Sequence, residues 1–234
     1  MLKKTEGIVL HRIKYSETSF IVHIYTRHEG IASFIIGNAR SKRSQAAFFQ
    51  PLHIVNFEYY EHPKSSLSRI KEISFAHVPV SLHRNIQKST IALFVSEFLY
   101  HSFVNKEENG YVYEFLRDFV VALDCATDPC NNAHIDFLID FADLCGISPQ
   151  NNYNTECCYF DSTRGNFATY TSATTCNRES SALMHRALTK NYSNFTSAQR
   201  RDILHLLLHY FSLHTKKIDM TRTLSILEVV FHTI

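Results

Sequence analysis

Residues 20–36, Phe-Ile-Val-His-Ile-Tyr-Thr-Arg-His-Glu-Gly-Ile-Ala-Ser-Phe-Ile-Ile, decide the fold of the N-terminal part of this 234-residue chain. Two runs rich in Ile, Val, Phe and Tyr, at 20–25 and 31–36, flank the polar stretch Arg27-His28-Glu29-Gly30. β-Branched and aromatic residues favour strands, and a glycine at the end of a short turn tolerates positive φ. The stretch therefore predicts a β-hairpin.

Further strand signals lie on both sides of this hairpin. Residues 5–14 predict a strand before it, and residues 52–60 and 67–75 predict two strands after it. Five short strands in succession, separated by polar turns, are typical of a small closed barrel. The oligonucleotide-binding (OB) barrel is the simplest five-stranded choice, and we predict it for residues 1–80.

An α-helical domain is predicted for residues 81–234, because the hydrophobic period lengthens to about 3.6 residues beyond Pro79. Apolar side chains recur at helical spacing in six segments: 85–104, 111–123, 133–145, 180–190, the segment that follows Thr196, and 224–231. Residues 147–177 are rich in Asn, Thr and Ser and predict a loop-rich insertion, with weak strand character at 159–160 and 167–170. The predicted fold class is α+β.

The composition and the missing motifs exclude several classes of protein. Polar Thr5-Glu6-Gly7 follows Lys3-Lys4 where a secretion signal needs an apolar segment. No apolar run approaches the ~18 residues of a membrane helix. We expect a cytoplasmic protein without membrane contact. The chain contains no Gly-rich phosphate loop, no Gly-x-Ser-x-Gly and no His-Glu-x-x-His, so neither a catalytic site nor a cofactor is predicted.

Charge is distributed unevenly along the chain. Residues 1–80 carry eleven Lys and Arg against six Asp and Glu, whereas the whole chain has a net charge of only +2. A polyanion could therefore bind the N-terminal barrel although the protein as a whole is nearly neutral. The stretch 178–234 is basic again and includes Arg200-Arg201 and Lys216-Lys217, which could extend a nucleic-acid surface or receive an acidic peptide.

Seven basic residues of the barrel are candidates for phosphate contact. Three lie in the loop Ala39-Arg40-Ser41-Lys42-Arg43-Ser44 and the others at strand ends or turns: Arg40, Lys42, Arg43, Lys14, Lys64, Arg69 and Lys71. OB barrels bind single strands through a positive groove combined with aromatic faces. The alternative is an ordinary solvated surface, since Lys and Arg are mostly exposed in any protein. The charge asymmetry favours binding.

Aromatic pairs accompany these cations. Tyr59 and Tyr60 are neighbours on a predicted strand, so they face opposite sides of the sheet and at most one of them is expected to face a ligand. Phe48-Phe49 beside the basic loop is expected to pack beneath it.

The cysteines do not form a zinc-site pattern. A structural zinc site usually takes four ligands from two Cys-x₂₋₄-Cys pairs. Here Cys157 and Cys158 are adjacent, and only Cys145 and Cys176 lie near them in sequence. We expect reduced, buried or idle thiols and no metal.

Several short motifs together resemble the bacterial recombination mediator family RecO. They are Gly7-Ile8-Val9-Leu10, Tyr15-Ser16-Glu17-Thr18-Ser19, Tyr25-Thr26-Arg27-His28-Glu29-Gly30, Gly37-Asn38-Ala39-Arg40, Gln50-Pro51-Leu52, the segment from Leu207 to His214 and the segment from Leu224 to Val229. Their order and spacing extend over nearly the whole chain. The resemblance implies an N-terminal OB barrel, a helical domain and a zinc-ribbon-like insertion, which in this chain is degenerate because the two Cys pairs of the zinc-binding members are missing.

The resemblance also implies a function and partners. These are binding of single- and double-stranded DNA, annealing of complementary strands, and loading of recombinase onto protein-coated single strands together with RecR. In some members the helical domain holds the acidic C-terminal tail of the single-strand-binding protein (SSB). By position alone, Leu82, Arg84 and Lys88 are candidates for partner contact. The alternative function is a protein-interaction adaptor whose barrel binds a peptide, because OB-type barrels serve many ligands.

Overall fold

The computed structural model describes residues 1–17, 19–37, 46–61, 67–102, 109–215 and 220–232. Its N-terminal strands are β1 (Leu2–Lys14), β2 (Ser19–Thr26), β3 (Gly30–Gly37), β4 (Ile54–Tyr60) and β5 (Leu67–Phe75). They close into a barrel of order β1-β2-β3-β5-β4, in which only the β3–β5 pair is parallel. The five-stranded barrel predicted from the sequence is confirmed.

The start of β4 differs from the sequence prediction. The sequence predicts a strand from Leu52, but β4 begins at Ile54. Leu52 cannot extend the strand because it adopts a left-handed backbone conformation with φ of 61°. Its amide still donates to the carbonyl of Val9 at 2.8 Å, and the amide of Val9 donates to the carbonyl of His53 at 2.9 Å. A single 3₁₀ turn, Ala46–Phe48, precedes this irregular stretch.

The barrel interior is filled by large apolar side chains. Its buried residues are Val9, Val22, Ile24, Phe34, Ile36, Phe49, Val55, Phe57 and Tyr59. β1 passes close to its neighbours at Gly7, where an added Cβ would collide with Ile24 and lie 3.3 Å from the Phe57 ring. Phe49 and the partly buried Phe48 pack into this core. The basic loop beneath which the sequence predicts them to pack lies outside the described residues.

Two helices complete the first of two compact units, which spans Met1–Pro129. Helix α1 (Ile86–Ser102) packs on β1, and helix α2 (Gly110–Cys125) is capped by the Asn109 side chain. The Tyr113 hydroxyl of α2 donates to the Glu6 carboxylate at 2.6 Å. The sequence predicts a domain boundary after residue 80, whereas the first compact unit extends to Pro129, because both helices pack with the barrel.

The second unit, Cys130–Ile234, contains the remaining helices. They are α3 (Ala133–Leu144), α4 (Arg178–Leu188), α5 (Ser197–His214) and α6 (Thr221–His232). Thr196 and Gln199 form a capping box at the start of α5. None of the helices in the described ranges is long and apolar enough to cross a membrane.

The insertion contains a short hairpin. Strands β6 (Tyr159–Asp161) and β7 (Asn166–Ala168) pair in antiparallel fashion, and their central residues Phe160 and Phe167, which are paired with each other, are buried. These strands fall where the sequence shows weak strand character. The aromatic pair supplies a small core to a segment whose composition is otherwise that of a loop.

Candidate nucleic-acid interface

The outer face of the barrel carries a continuous row of paired side chains. The side chains of this row point outward, because successive side chains of a strand alternate between the two faces and the neighbours Val22, Ile36, Tyr59 and Ile70 pack in the barrel core. Successive cross-strand partners in the row are Ile13, Ile21, Ile35, Arg69, Tyr60 and Leu2. The row starts and ends on β1 at opposite ends of that strand, as the stagger of a closed barrel requires. We call these six residues the outer row.

The outer row is accessible and mostly apolar. Ile13, Tyr60 and Leu2 are 41%, 50% and 45% exposed, and Arg69 is the only charged member. OB barrels bind oligonucleotides on the face of strands two and three and on the loops between strands one and two and between strands four and five. Ile21 and Ile35 place the outer row on that face.

Lys14 and Arg69 lie near the end of the barrel where the basic loop begins. Lys14 pairs with Phe20, whose next neighbour Ser19 pairs with Gly37, the last described residue before the loop. A guanidinium nitrogen of Arg69 lies 3.6 Å from the position that a Cβ on Gly37 would occupy. Arg40, Lys42 and Arg43, and also Lys64, lie outside the described residues.

Arg12 adds a cation that the sequence prediction missed. Its guanidinium carbon lies 5.2 Å from the centre of the Phe20 ring, which is within the range of a cation–π contact. Arg12 and Lys14 are alternate residues on β1 and therefore point to the same side of the sheet. Both are exposed. The sequence does contain a signal for Arg12, because two basic residues at alternate positions of a predicted strand, Arg12 and Lys14, are expected on the same side of the sheet.

Lys71 differs from Arg69 because it is already paired. Its ammonium group lies 3.3 Å from Glu58 and 3.7 Å from Glu72, and these carboxylates raise the pKa of Lys71. Both glutamates line a groove of about 280 Å³ with Lys4 and Ser74. This side of the barrel has mixed charge, so Lys71 offers little net positive charge to a phosphate.

The two adjacent tyrosines have separate positions. Tyr59 is buried in the barrel core, and its hydroxyl donates to Glu29 at 2.9 Å. Tyr60 belongs to the outer row. The alternation of strand side chains explains this division, and only Tyr60 can face a ligand at the surface.

A second set of rings lies beside the outer row. His11 is paired with His23 and stacks on Tyr100 of α1 with a ring-centre distance of 4.7 Å and an interplanar angle of 20°. Ser33 Oγ lies 2.9 Å from His23 Nδ1. Burial, followed by the charge of His101, lowers the pKa of His11. This cluster could not be predicted from the sequence, because Tyr100 is remote from the barrel strands in the chain.

The three candidates for partner contact occupy different environments. Leu82 and Lys88 are 1% and 4% exposed, whereas Arg84 is exposed. The Lys88 ammonium donates to Ser81 Oγ at 2.6 Å and to the carbonyl of Ala126 at 2.6 Å. Leu82 and Lys88 therefore support this segment from beneath, and only Arg84 reaches the surface directly.

The second unit contains a small cleft with basic and apolar walls. Arg200, Arg201 and Leu204 of α5 face Leu227 and Phe231 of α6 across a cavity of about 20 Å³, and the acidic Glu228 of α6 also lines this cavity. Arg200 Nε donates to Asn132 Oδ1 at 2.8 Å. Burial and then the charge of Arg200 lower the pKa of the adjacent His134 to about 3, so this histidine is neutral at pH 7. The sequence indicates the basic pair Arg200-Arg201, but it does not show that Leu227 and Phe231 of another helix lie next to it.

The cysteines within the described residues are all free thiols. Cys158 is buried, and Cys176 Sγ lies 3.9 Å from Ser162 Oγ. Burial raises the pKa of both Cys145 and Cys176, which disfavours thiolate formation. No three His, Cys, Asp or Glu residues in the described ranges are grouped so that they could hold a metal ion.

Comparison with known proteins covers nearly the whole chain. The family model described as "Recombination protein O N terminal" matches residues 1–78, and the one described as "Recombination protein O C terminal" matches residues 83–222. A DNA repair protein RecO of Phocaeicola vulgatus is 33% identical over 240 residues, covering 99% of this chain and 100% of that protein. One of Flavobacterium psychrophilum is 32% identical over 236 residues, covering 97% and 98% of the two chains.

Proposed function

The chain belongs to the RecO family of DNA repair proteins, and from that premise we propose that it is a non-catalytic mediator of recombination. It binds single- and double-stranded DNA in the cytoplasm, anneals complementary strands and helps to load recombinase onto SSB-coated DNA. The observation that carries the DNA-binding step is the outer row, an accessible apolar face with Arg69 within it.

The binding mode follows from this geometry. Bases contact the apolar members of the outer row and the Tyr60 ring, which can stack on any base because every base has a π-face. Phosphates contact Arg69 within the outer row and Lys14 at the end of β1, whose side chain points to the side of the sheet opposite to that of Ile13. The basic residues 40, 42, 43 and 64, which lie outside the described residues, are further candidates for phosphate contact. Such contacts are independent of base sequence. Cations between two strands also reduce the repulsion between their backbones, which favours annealing.

Protein partners use other surfaces in this proposal. RecR and the acidic C-terminal tail of SSB are the partners that the family resemblance implies. The rim of the small cleft supports binding of an acidic tail, because Arg200 and Arg201 lie there beside apolar side chains, whereas Glu228 in the same lining opposes it. Arg84 supports a second contact near the barrel, with Leu82 and Lys88 holding its segment in place.

A protein-interaction adaptor is the second candidate function. The composition of the outer row favours the adaptor function, because five of its six residues are uncharged and three of these are isoleucine. Aliphatic surface is as suitable for a peptide as for bases. The two functions predict different effects of salt, because the affinity for DNA should fall as the salt concentration rises.

The decisive experiment is a fluorescence-anisotropy titration with labelled single-stranded DNA at several salt concentrations. Each phosphate contact adds about −0.7 to the log–log salt slope for single strands. The double substitution Lys14→Ala with Arg69→Ala should flatten that slope by about 1.4. Arg164→Ala, an exposed arginine of the second unit, is the matched control and should leave the slope unchanged. Binding without salt dependence, or no binding, would support the adaptor instead.

A further inference from the structure

A second row of side chains lies on the outer face of the barrel, next to the outer row. Its successive cross-strand partners are His11, His23, Ser33 and Leu67. Each of them is two positions along its strand from a member of the outer row, so the two rows share one face and lie about 7 Å apart. We call these four residues the second row. The strand register thus places two imidazoles directly beside the face that we propose to hold DNA.

The two imidazoles form one cluster with a tyrosine of α1. The ring centre of Tyr100 lies 4.7 Å from that of His11 and 4.9 Å from that of His23, and the two imidazole centres are 6.3 Å apart. Ser33 Oγ lies 2.9 Å from His23 Nδ1. These four side chains are partly exposed. The imidazoles are therefore held in place by several elements and are still within reach of a ligand on this face.

His11 is mostly neutral in the free protein at pH 7. It faces His23 on β2 and Tyr100 on α1, and the neighbouring His101 Nε2 lies 4.0 Å from a carboxylate oxygen of Glu97. Burial, followed by the charge of His101, lowers the pKa of His11 below its ordinary value of 6.5. The imidazole can therefore accept a proton when a negative charge approaches it.

We propose that His11 and His23 take up protons when DNA binds to the outer row, so that the affinity for DNA increases as the pH falls below 7. A phosphate on this face favours the charged form of a nearby imidazole, because opposite charges attract. Binding and protonation are then linked, and the protonated protein is the tighter binder. The inference rests on the proposed DNA-binding function and adds a means by which that same site is regulated.

The closeness of the two imidazoles limits the number of protons. Two like charges at this separation repel each other, so the first proton makes the second harder to add. We expect about one proton for each barrel that binds DNA. If the rings served only to pack α1 on the barrel, protonation would disturb their stacking, and the affinity would fall or stay constant on acidification.

Calorimetric titration of the full chain with an oligothymidylate, in buffers of different ionisation enthalpy at pH 6.5, counts these protons. The unmodified chain should take up about one proton, and the His11→Gln, His23→Gln double variant should take up almost none. Anisotropy titrations should show that the affinity of the unmodified chain rises about fourfold between pH 7.5 and 6.0, and that of the double variant less than twofold. His209→Gln, at an exposed histidine of α5, is the control and should behave as the unmodified chain does.

NMR titration of the imidazole protons supplies a measurement that needs no loss of a side chain. The pKa of His11 in the unmodified chain should be higher with the oligothymidylate bound than without it. Undiminished proton uptake by the double variant, or an affinity that falls on acidification, would overturn the proposal. DNA binding without proton uptake counts against this inference alone, whereas failure of the unmodified chain to bind DNA at any pH counts against the proposed function.

Discussion

Tyr60 and Arg69 lie directly opposite each other on β4 and β5, with both side chains on the outer face of the barrel. A ring 50% exposed to solvent and a guanidinium group are thereby held side by side on two strands of a closed sheet. The pair offers two distinct interactions to a nucleic acid, stacking and charge. Their contributions can be measured separately.

Substitution of Tyr60 and of Arg69 should therefore affect DNA binding in different ways. Tyr60→Ala should weaken single-strand binding by about 1–3 kcal/mol, the value of one stacked base, and leave the salt slope unchanged. Arg69→Ala should weaken binding and flatten the slope by about 0.7. Anisotropy titrations over a range of salt concentrations measure both quantities. Tyr170→Ala, at an exposed tyrosine of the second unit, should change neither.

Lys71 should contribute less to DNA binding than Arg69, although both are basic residues of β5. Its charge is already balanced by Glu58 and Glu72, so Lys71→Ala should change the affinity less than twofold, or about 0.4 kcal/mol. Glu58→Gln should strengthen binding, because it releases part of that charge. A loss on Lys71→Ala as large as that on Arg69→Ala would contradict the assignment of these ion pairs to Lys71.

The sequence predicted the barrel well because its signals are local. Strand-favouring runs and the glycine at position 30 lie within a few residues of the contacts they specify. The outer row could not be predicted, since it depends on the register of five strands and on the bulge near Leu10. The burial of Leu82 and Lys88 could not be predicted from their position in the sequence either, because their hydrogen-bond partner Asp124 lies more than thirty-five positions away.

His53 should make the protein less stable as the pH falls from 6.5 toward 4. Burial, followed by the charge of His83, lowers its pKa from 6.5 to about 4, so the folded protein holds His53 neutral while the unfolded chain protonates it. The contribution of neutral His53 to the free energy of unfolding is fully present above pH 6.5 and is lost as the pH falls toward 4. Between pH 7 and 5 the loss should be about 2 kcal/mol.

The His53→Gln variant isolates that contribution. Urea unfolding followed by circular dichroism at pH 7 and pH 5 gives the change in unfolding free energy for both proteins. The variant should lose about 2 kcal/mol less than the unmodified protein over this interval. His28→Gln, at an exposed position, should follow the unmodified protein. Equal losses in His53→Gln and the unmodified protein would mean that another group dominates the acid sensitivity.

Gly7 should tolerate no side chain, although it lies in a regular strand where larger residues are normally favoured. An added methyl group would collide with the Ile24 side chain and lie 3.1 Å from the Tyr25 carbonyl oxygen, so β1 or β2 must shift. Gly7→Ala should lower the unfolding free energy by about 1–3 kcal/mol, the usual cost of overpacking. Gly110→Ala is the matched control, because nothing lies within 4 Å of its added Cβ, and it should be neutral or slightly stabilising. Urea unfolding of both variants measures the difference. A neutral Gly7→Ala would show that the barrel yields at this position more easily than its packing indicates.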